Sequence, residues 1–248
     1  MNKNFAVCNF GNDSIALIQW CIKNHVENLT VVFVDTGWAN SSWHKRIEEV
    51  KDYLNRNNIE LKILKSNVTF PESVLEKQEF PSQKFQWCAG LLKGLPIIEW
   101  LDEIDPFCEA VILIAALKSS SRAYLNYEEY IDESEHFGDR KIWHPVLGVS
   151  RSERDELIRE SGISLLPINR SLECDPCVNC TIKDLASLKD SIDIEKVAKL
   201  ENQIGKTLFD KDIKSSIKES EDLHNSDNKN DNLDSYNMGC GSVYGCGS

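Results

Sequence analysis

The sequence predicts a doubly wound α/β fold with a mainly parallel sheet, and three observations carry that prediction. Short apolar runs alternate with amphipathic segments of helical period as far as Ala116. Leu29–Val34 is short and mostly β-branched, as a buried parallel strand is, while Ile59–Leu64 alternates like a strand. Each of three runs ends in a polar segment: Cys8–Ser14, Asp35–Gly37 and Lys118–Arg122. In an open α/β sheet, ligands bind beyond the carboxyl ends of the strands, so topology alone brings these three loops together.

Phe5-Ala6-Val7 is the first strand, and the run from Ile15 to Trp20 belongs to the first helix. Between them, Cys-Asn-Phe-Gly-Asn-Asp-Ser has the layout of a phosphate loop. Backbone N–H groups and the positive end of the helix dipole meet there, Gly11 permits close approach of an anion, and Ser14 adds a hydroxyl. An ordinary β–α turn capped by Ser or Asp also fits these seven residues taken alone. Leu29–Val34 reads as the second strand, ending at Asp35-Thr36-Gly37, and Trp43–Asn57 as a helix with Ile47, Val50 and Leu54 on one face. Ile59–Leu64 reads as the third strand. Phe70–Phe80 carries no clear pattern, Leu91–Ile104 reads as a helix despite Gly94 and Pro96, and Ala110–Ala116 is the most apolar strand. Arg151–Ser161 and Thr181–Gly205 read as helices. Asp210–Asn237 loses its hydrophobic period and reads as a flexible linker to a tail in which Cys240 and Cys246 stand among four glycines.

The chain has 248 residues with 41% hydrophobic content, enough for one α/β core with appendages. No run of about 18 apolar residues suggests a membrane span, and the N-terminus lacks a secretory pattern, so a cytoplasmic protein without a membrane partner is expected. A net charge of −12 argues against a broad basic surface for non-specific nucleic-acid binding. Nine cysteines in a reducing compartment point to metal or redox chemistry where they cluster. Cys174, Cys177 and Cys180 form a C-x2-C-x2-C pattern whose thiolates suit one zinc ion or iron–sulfur cluster. Cys88 is the candidate fourth ligand, because Cys8, Cys21 and Cys108 lie in or beside apolar segments and read as core thiols.

Taken together, these segments resemble the sulfonucleotide reductases and their relatives in the PP-loop ATP pyrophosphatase superfamily, over about residues 5–205. Cys8–Ser14 resembles the PP-loop S-x-G-x-D-S, with Asn9 at the first serine, Phe10 at a variable or glycine position, and Gly11, Asp13 and Ser14 retained. Val34–Trp38 resembles the Asp-Thr-Gly motif beside the nucleotide. Gln86–Cys88 through Lys93 and Pro96 resembles the cysteine–lysine–proline segment, and Lys118–Arg122 the substrate loop, with Lys118 where arginine is usual. His144-Pro145, Glu153-Arg154 and Arg170 through Cys180 complete the order.

The resemblance implies an adenine nucleotide alpha hydrolase-like architecture: a nucleotide-binding domain over 1–150, a helical region with the cysteine cluster over 151–209, and a linker with tail over 210–248. It implies ATP and Mg²⁺ as ligands, held by Asn9, Gly11, Asn12, Asp13, Ser14, Asp35, Thr36, Gly37 and Arg170. Lys93, Lys118 and Arg122 are the implied cationic partners of phosphate or sulfate, although Lys118 and Arg122 also fit a solvated helix face. Cys88, Cys174, Cys177 and Cys180 are the implied ligands of a [4Fe–4S] cluster, with Zn²⁺ as the alternative. Two chemistries stay open. An ATP pyrophosphatase would release pyrophosphate and adenylate an acceptor for sulfur transfer, as in DNA phosphorothioation, with a cysteine desulfurase as sulfur donor and DNA reached through partner proteins. A sulfonucleotide reductase would use a thiol reductant and a tail cysteine, Cys240 or Cys246, neither of which has the Glu-Cys-Gly setting of that family. A nucleotide sensor that kept the fold without turnover is a third reading.

Overall fold

The computed structural model describes residues 3–120, 124–166, 171–181, 184–186, 189, 192–226 and 244. Strands β1 (Asn4–Val7), β2 (Leu29–Asp35), β3 (Glu60–Lys65), β4 (Val111–Ile114), β5 (Tyr130–Ser134) and β6 (Arg140–Trp143) form one sheet in the order β3-β2-β1-β4-β6-β5. All neighbours are parallel except β5 and β6. The chain winds outward in one direction from β1 through β2 to β3, then crosses back to β4, so the order reverses between β1 and β4. Val7 is in register with both Val32 and Ile114, which brings the ends of these three strands to one level. That level is the switch point at which ligands of such sheets bind.

Both sheet faces are covered, which explains the unbroken apolar runs. On one face Ala6, Cys8, Val31, Phe33 and Leu113 pack against helices α1 (Asn12–Lys23), α2 (Trp43–Arg56) and α6 (Arg151–Ser161). On the other, Phe5, Val7, Val32, Val34 and Ile112 meet Ile97 and Leu101 of α5 (Leu95–Ile104). A helical turn α4 (Trp87–Ala89) and a π-helical run Gly90–Gly94 lead directly into α5, so the expected helix begins four residues earlier.

A third apolar cluster gathers the end of the chain against the core. It joins Trp38, Phe70, Phe80 and Leu92 to Val178, Cys180, Val197 and Leu200, and includes Ile213 and Ile217. Helix α3 (Phe70–Lys77) supplies part of it from the stretch without a clear pattern, and begins with a Thr69–Glu72 capping box. Helix α7 (Ile194–Ile204) is capped by Asp193 and forms the last part of the expected Thr181–Gly205 helix.

Two sequence expectations need correction. Residues 213–226 are not linker but helix α8 (Ile213–Ser226). Ile213, Ile217 and the buried Ser216 and Ser220 make its inner face, and the serines conceal the period in the sequence. Glu201 fastens this helix to α7 by accepting the N–H groups of Leu208 and Ile213, each at 3.0 Å. Cys108 is exposed, not a core thiol, whereas Cys8 and Cys21 are buried. The antiparallel pair β5–β6 carries no apolar run; β6 begins with Arg140, fully buried and satisfied by Asp105 and by the Leu101, Asp105 and Phe137 carbonyls. No helix among the described residues is long and apolar enough to cross a membrane.

Candidate nucleotide and sulfur site

The loop between β1 and α1 sits at the switch point and is closed on itself by Asn9. Its Oδ1 accepts the Gly11 N–H at 2.8 Å and the Ser14 hydroxyl at 2.7 Å, and its own N–H donates to Ser14 Oγ at 3.1 Å. These are donors that a phosphate would use, held in place by a side-chain carbonyl. Phe10 has a left-handed backbone (φ 63°), uncommon for a bulky residue, while its ring stacks on Phe33 with centroids 4.8 Å apart. The buried Arg46 donates to the Phe10 carbonyl at 3.2 Å, which secures this conformation.

Asn12 uses its side chain on the backbone of Leu166, donating to the carbonyl and accepting the N–H. Asp13 is fully buried in the first turn of α1, where Arg154 Nη1 donates to its Oδ1 at 3.1 Å. Burial pushes the Asp13 carboxyl above its usual range, and Arg154 opposes that rise. Its other oxygen, Oδ2, and the buried hydroxyl of Ser120 make no hydrogen bond of full geometry within the described residues, although Ser120 lies near enough to favour the charged carboxylate. A buried carboxylate oxygen of this kind is a suitable ligand for Mg²⁺, which prefers oxygen donors and retains several waters.

The Asp35–Gly37 loop follows β2. Asp35 Oδ1 accepts the Gly37 N–H at 2.9 Å, and Gly37 takes φ +69°, where a Cβ would stand 2.7 Å from Thr69 Cγ2. Both the conformation and the space require glycine. Thr36 is buried and turns its hydroxyl towards the cysteine loop, 3.5 Å from the Glu173 carbonyl and 3.8 Å from Cys174 Sγ. Further bonds lace the two loops together: Asn40 N–H to the Leu172 carbonyl, Asp175 N–H to the Trp38 carbonyl, and the Trp38 indole N–H to the Pro176 carbonyl. Beside this seam is a cavity of about 370 Å³ lined by Asp35, Asn40, His44, Asp175 and Lys196 among others.

Lys93 lies in the π-helical run, buried, and forms an ion pair with the equally buried Glu173. It is thus turned towards the residue next to Cys174. Lys118 stands exposed after β4, with its backbone N–H on the Leu147 carbonyl. His144 is a packing residue: its Nδ1 is 2.7 Å from the Glu128 carbonyl, its ring meets Tyr127, and burial pushes its pKa down. Arg122, Arg170, Cys240 and Cys246 lie outside the described residues.

Cys88, Cys174, Cys177 and Cys180 all belong to the third apolar cluster, so the fold gathers four thiols from two distant segments around one region. Within the described residues, no group of three or more Cys, His, Asp or Glu side chains is close enough to hold a metal ion. The donor set suits a cluster in kind, but its geometry is not closed. Two residues that the sequence left without a role prove central: Arg154, whose spacing from Leu157 and Ile158 places it on the buried face of α6, and Glu173, for which no local pattern exists.

The comparisons agree with this architecture. The chain is 30% identical over 102 residues to an uncharacterized protein of Methanocaldococcus jannaschii, a match that covers 40% of this chain and 24% of that protein. The U34-tRNA thiolase NcsA from Methanococcus maripaludis, solved with its [4Fe-4S] cluster, superposes with a TM-score of 0.50 at 15% identity. That match covers 90% of this chain and 73% of NcsA, and shows a shared fold. A phosphoadenylyl-sulfate reductase from Candida auris has a TM-score of 0.48 at 14% identity, over 66% of this chain and 75% of its own. The profile of the phosphoadenosine phosphosulfate reductase domain matches residues 3–172, from the strand before the phosphate loop to the edge of the cysteine loop. This chain therefore belongs to the phosphoadenosine phosphosulfate reductase domain family.

Proposed function

We propose that the protein is an ATP pyrophosphatase that activates an acceptor for sulfur transfer. The acceptor oxygen attacks the α-phosphorus of ATP, the bond to the bridging oxygen breaks, and pyrophosphate leaves. A sulfur nucleophile then displaces AMP from the adenylated acceptor. The observation that carries this reading is the contact between Thr36 and Cys174, which joins the nucleotide loop to the cysteine loop. Catalysis of this kind is mainly positioning and charge neutralisation. Gly11, Asn12 and Ser14 hold the phosphates once Asn9 yields their donors, Asp13 takes Mg²⁺, and Asp35–Gly37 borders the nucleotide. Lys118, Arg122 and Arg170 neutralise phosphate charge. Lys93 acts through Glu173 as a positioning residue for the cysteine loop.

Cys88, Cys174, Cys177 and Cys180 are the proposed ligands of a [4Fe–4S] cluster, which would supply sulfur-binding or redox chemistry beside the nucleotide. Cys240 and Cys246 are the proposed thiols that carry or receive sulfur. DNA, presented by partner proteins, is the acceptor we propose, given the acidic charge of the chain itself. A cysteine desulfurase is the proposed donor.

A second reading, reduction of adenylyl sulfate or its 3′-phosphorylated form, is favoured by the return of Tyr244 in the tail to Gly94, next to Lys93. One experiment separates the readings. Full-length protein is incubated with ATP and Mg²⁺, with and without DNA, desulfurase and cysteine, and in parallel with the sulfonucleotides and a thiol reductant. Formation of AMP and pyrophosphate from ATP supports the pyrophosphatase. Release of sulfite from a sulfonucleotide transfers the assignment to a reductase, and nucleotide binding without turnover in any mixture leaves a sensor.

A further inference from the structure

We infer that Tyr244 is a built-in anchor whose ring occupies a slot made by Gly94, His136 and Phe137, fastening the C-terminal segment to the core beside the Lys93–Glu173 pair. The slot depends on a missing side chain. A Cβ on Gly94 would stand 2.5 Å from Tyr244 Cζ and under 3.0 Å from both Cε atoms. The backbone of Gly94 is ordinary right-handed helix (φ −56°, ψ −51°), so conformation gives no reason for glycine, and alanine is the better helix former. Room for the ring is the reason that remains. On its other sides the ring packs edge-on against Phe137, with centroids 5.5 Å apart at 66°, and faces His136 at 6.2 Å and 81°. It thereby joins the apolar cluster beneath α5.

The slot opens where the run that carries Lys93 passes into α5, so docking returns a residue far beyond the end of α8 to the start of α5. The docking does not depend on the sulfur-transfer reading above.

Hydrogen exchange on the full-length chain tests the anchor. Backbone amides of residues 90–98 and 135–138 are compared in the unaltered protein, Tyr244→Ala, Tyr244→Phe and Gly94→Ala. Tyr244→Ala and Gly94→Ala should raise exchange in both segments at least tenfold while circular dichroism stays unchanged, and Tyr244→Phe should keep the protection. Unchanged exchange in the first two variants overturns the anchor.

Discussion

Asn9 Oδ1 accepts the Ser14 hydroxyl at 2.7 Å, so the side chain near one end of the β1–α1 loop holds the hydroxyl at the other. The same oxygen also takes the Gly11 N–H. Asn9→Ala would leave both buried donors unsatisfied, at a cost of about 1–3 kcal/mol. If phosphate replaces Asn9 as acceptor, ATP with Mg²⁺ should restore part of that loss. Urea unfolding with and without nucleotide measures this. An ATP-dependent increment no larger in Asn9→Ala than in the unaltered protein would show that phosphate does not use these donors.

Asp13 gives a pH prediction. Its folded pKa is raised above the ordinary 3.8, mainly by burial, with Arg154 opposing. A carboxyl of this kind holds its proton longer in the folded chain than in the unfolded one. Its stabilising contribution is therefore complete below about pH 4 and is lost as pH rises through the folded pKa. The unfolding free energy of the unaltered protein minus that of Asp13→Asn should fall as pH rises from 4 to 8. A flat or rising difference contradicts the burial argument. ATP affinity in the presence of Mg²⁺ should fall at least tenfold in the same variant.

What the sequence made legible follows from burial and chain distance. β1, β2 and β4 are buried on both faces, and only apolar runs satisfy that position, so they were readable. β6 instead begins with the buried Arg140, whose charge is neutralised by Asp105 from the end of α5, and no local pattern announces such a strand. Helix α8 hid because Ser216 and Ser220 occupy inner positions where apolar residues are expected. The loops of the site were legible through Gly11, Asp13 and Asp35–Gly37. Their partners were not, because Arg154 is 141 residues from Asp13 and Glu173 is 80 from Lys93. The sequence also pointed to the thiols of the C-x2-C-x2-C trio as a set, while their seat against Thr36 and Trp38 is a property of the folded chain.

The Lys93–Glu173 pair is buried on both sides, which makes single substitutions cost more than the double one. Lys93→Met leaves a buried carboxylate without its cation and should cost about 3–5 kcal/mol, as should Glu173→Leu. Lys93→Met with Glu173→Leu removes both charges and should recover most of the loss. Denaturant midpoints test this coupling. Additive losses in the double variant would mean that the two side chains act independently. Activity should remain low in the double variant if the pair positions Cys174 for chemistry.

Glu201 ties α7 to α8 through two backbone N–H groups. Hydrogen bonds to a charged acceptor are each worth about 1.5–3 kcal/mol, so losing both in Glu201→Ala should cost roughly 3–6 kcal/mol. The loss should be local, with amide exchange rising first over residues 208–222. Uniform acceleration across the sheet would instead show that α8 and the core unfold as one unit.

The four cysteines give the last prediction. Their side chains come from α4 and from the loop 174–180 and meet within one apolar cluster, but no three are close enough to grip a metal within the described residues. Metal binding should therefore be coupled to a tightening of the loop, and because the loop is laced to residues 36–40, it should be felt at the proposed nucleotide site. Protein purified without oxygen should be brown, absorb near ~400 nm and contain about four irons and four sulfides per chain. Cys177→Ser should abolish the colour and lower the melting temperature by several degrees, since ligation that forms only in the folded chain stabilises it. Stoichiometric zinc without iron, from the same anaerobic preparation, would assign the four thiols a structural zinc site. A colourless protein with neither metal, and with Cys88 and Cys177 equally reactive towards a maleimide, would remove the metal centre from the proposed function.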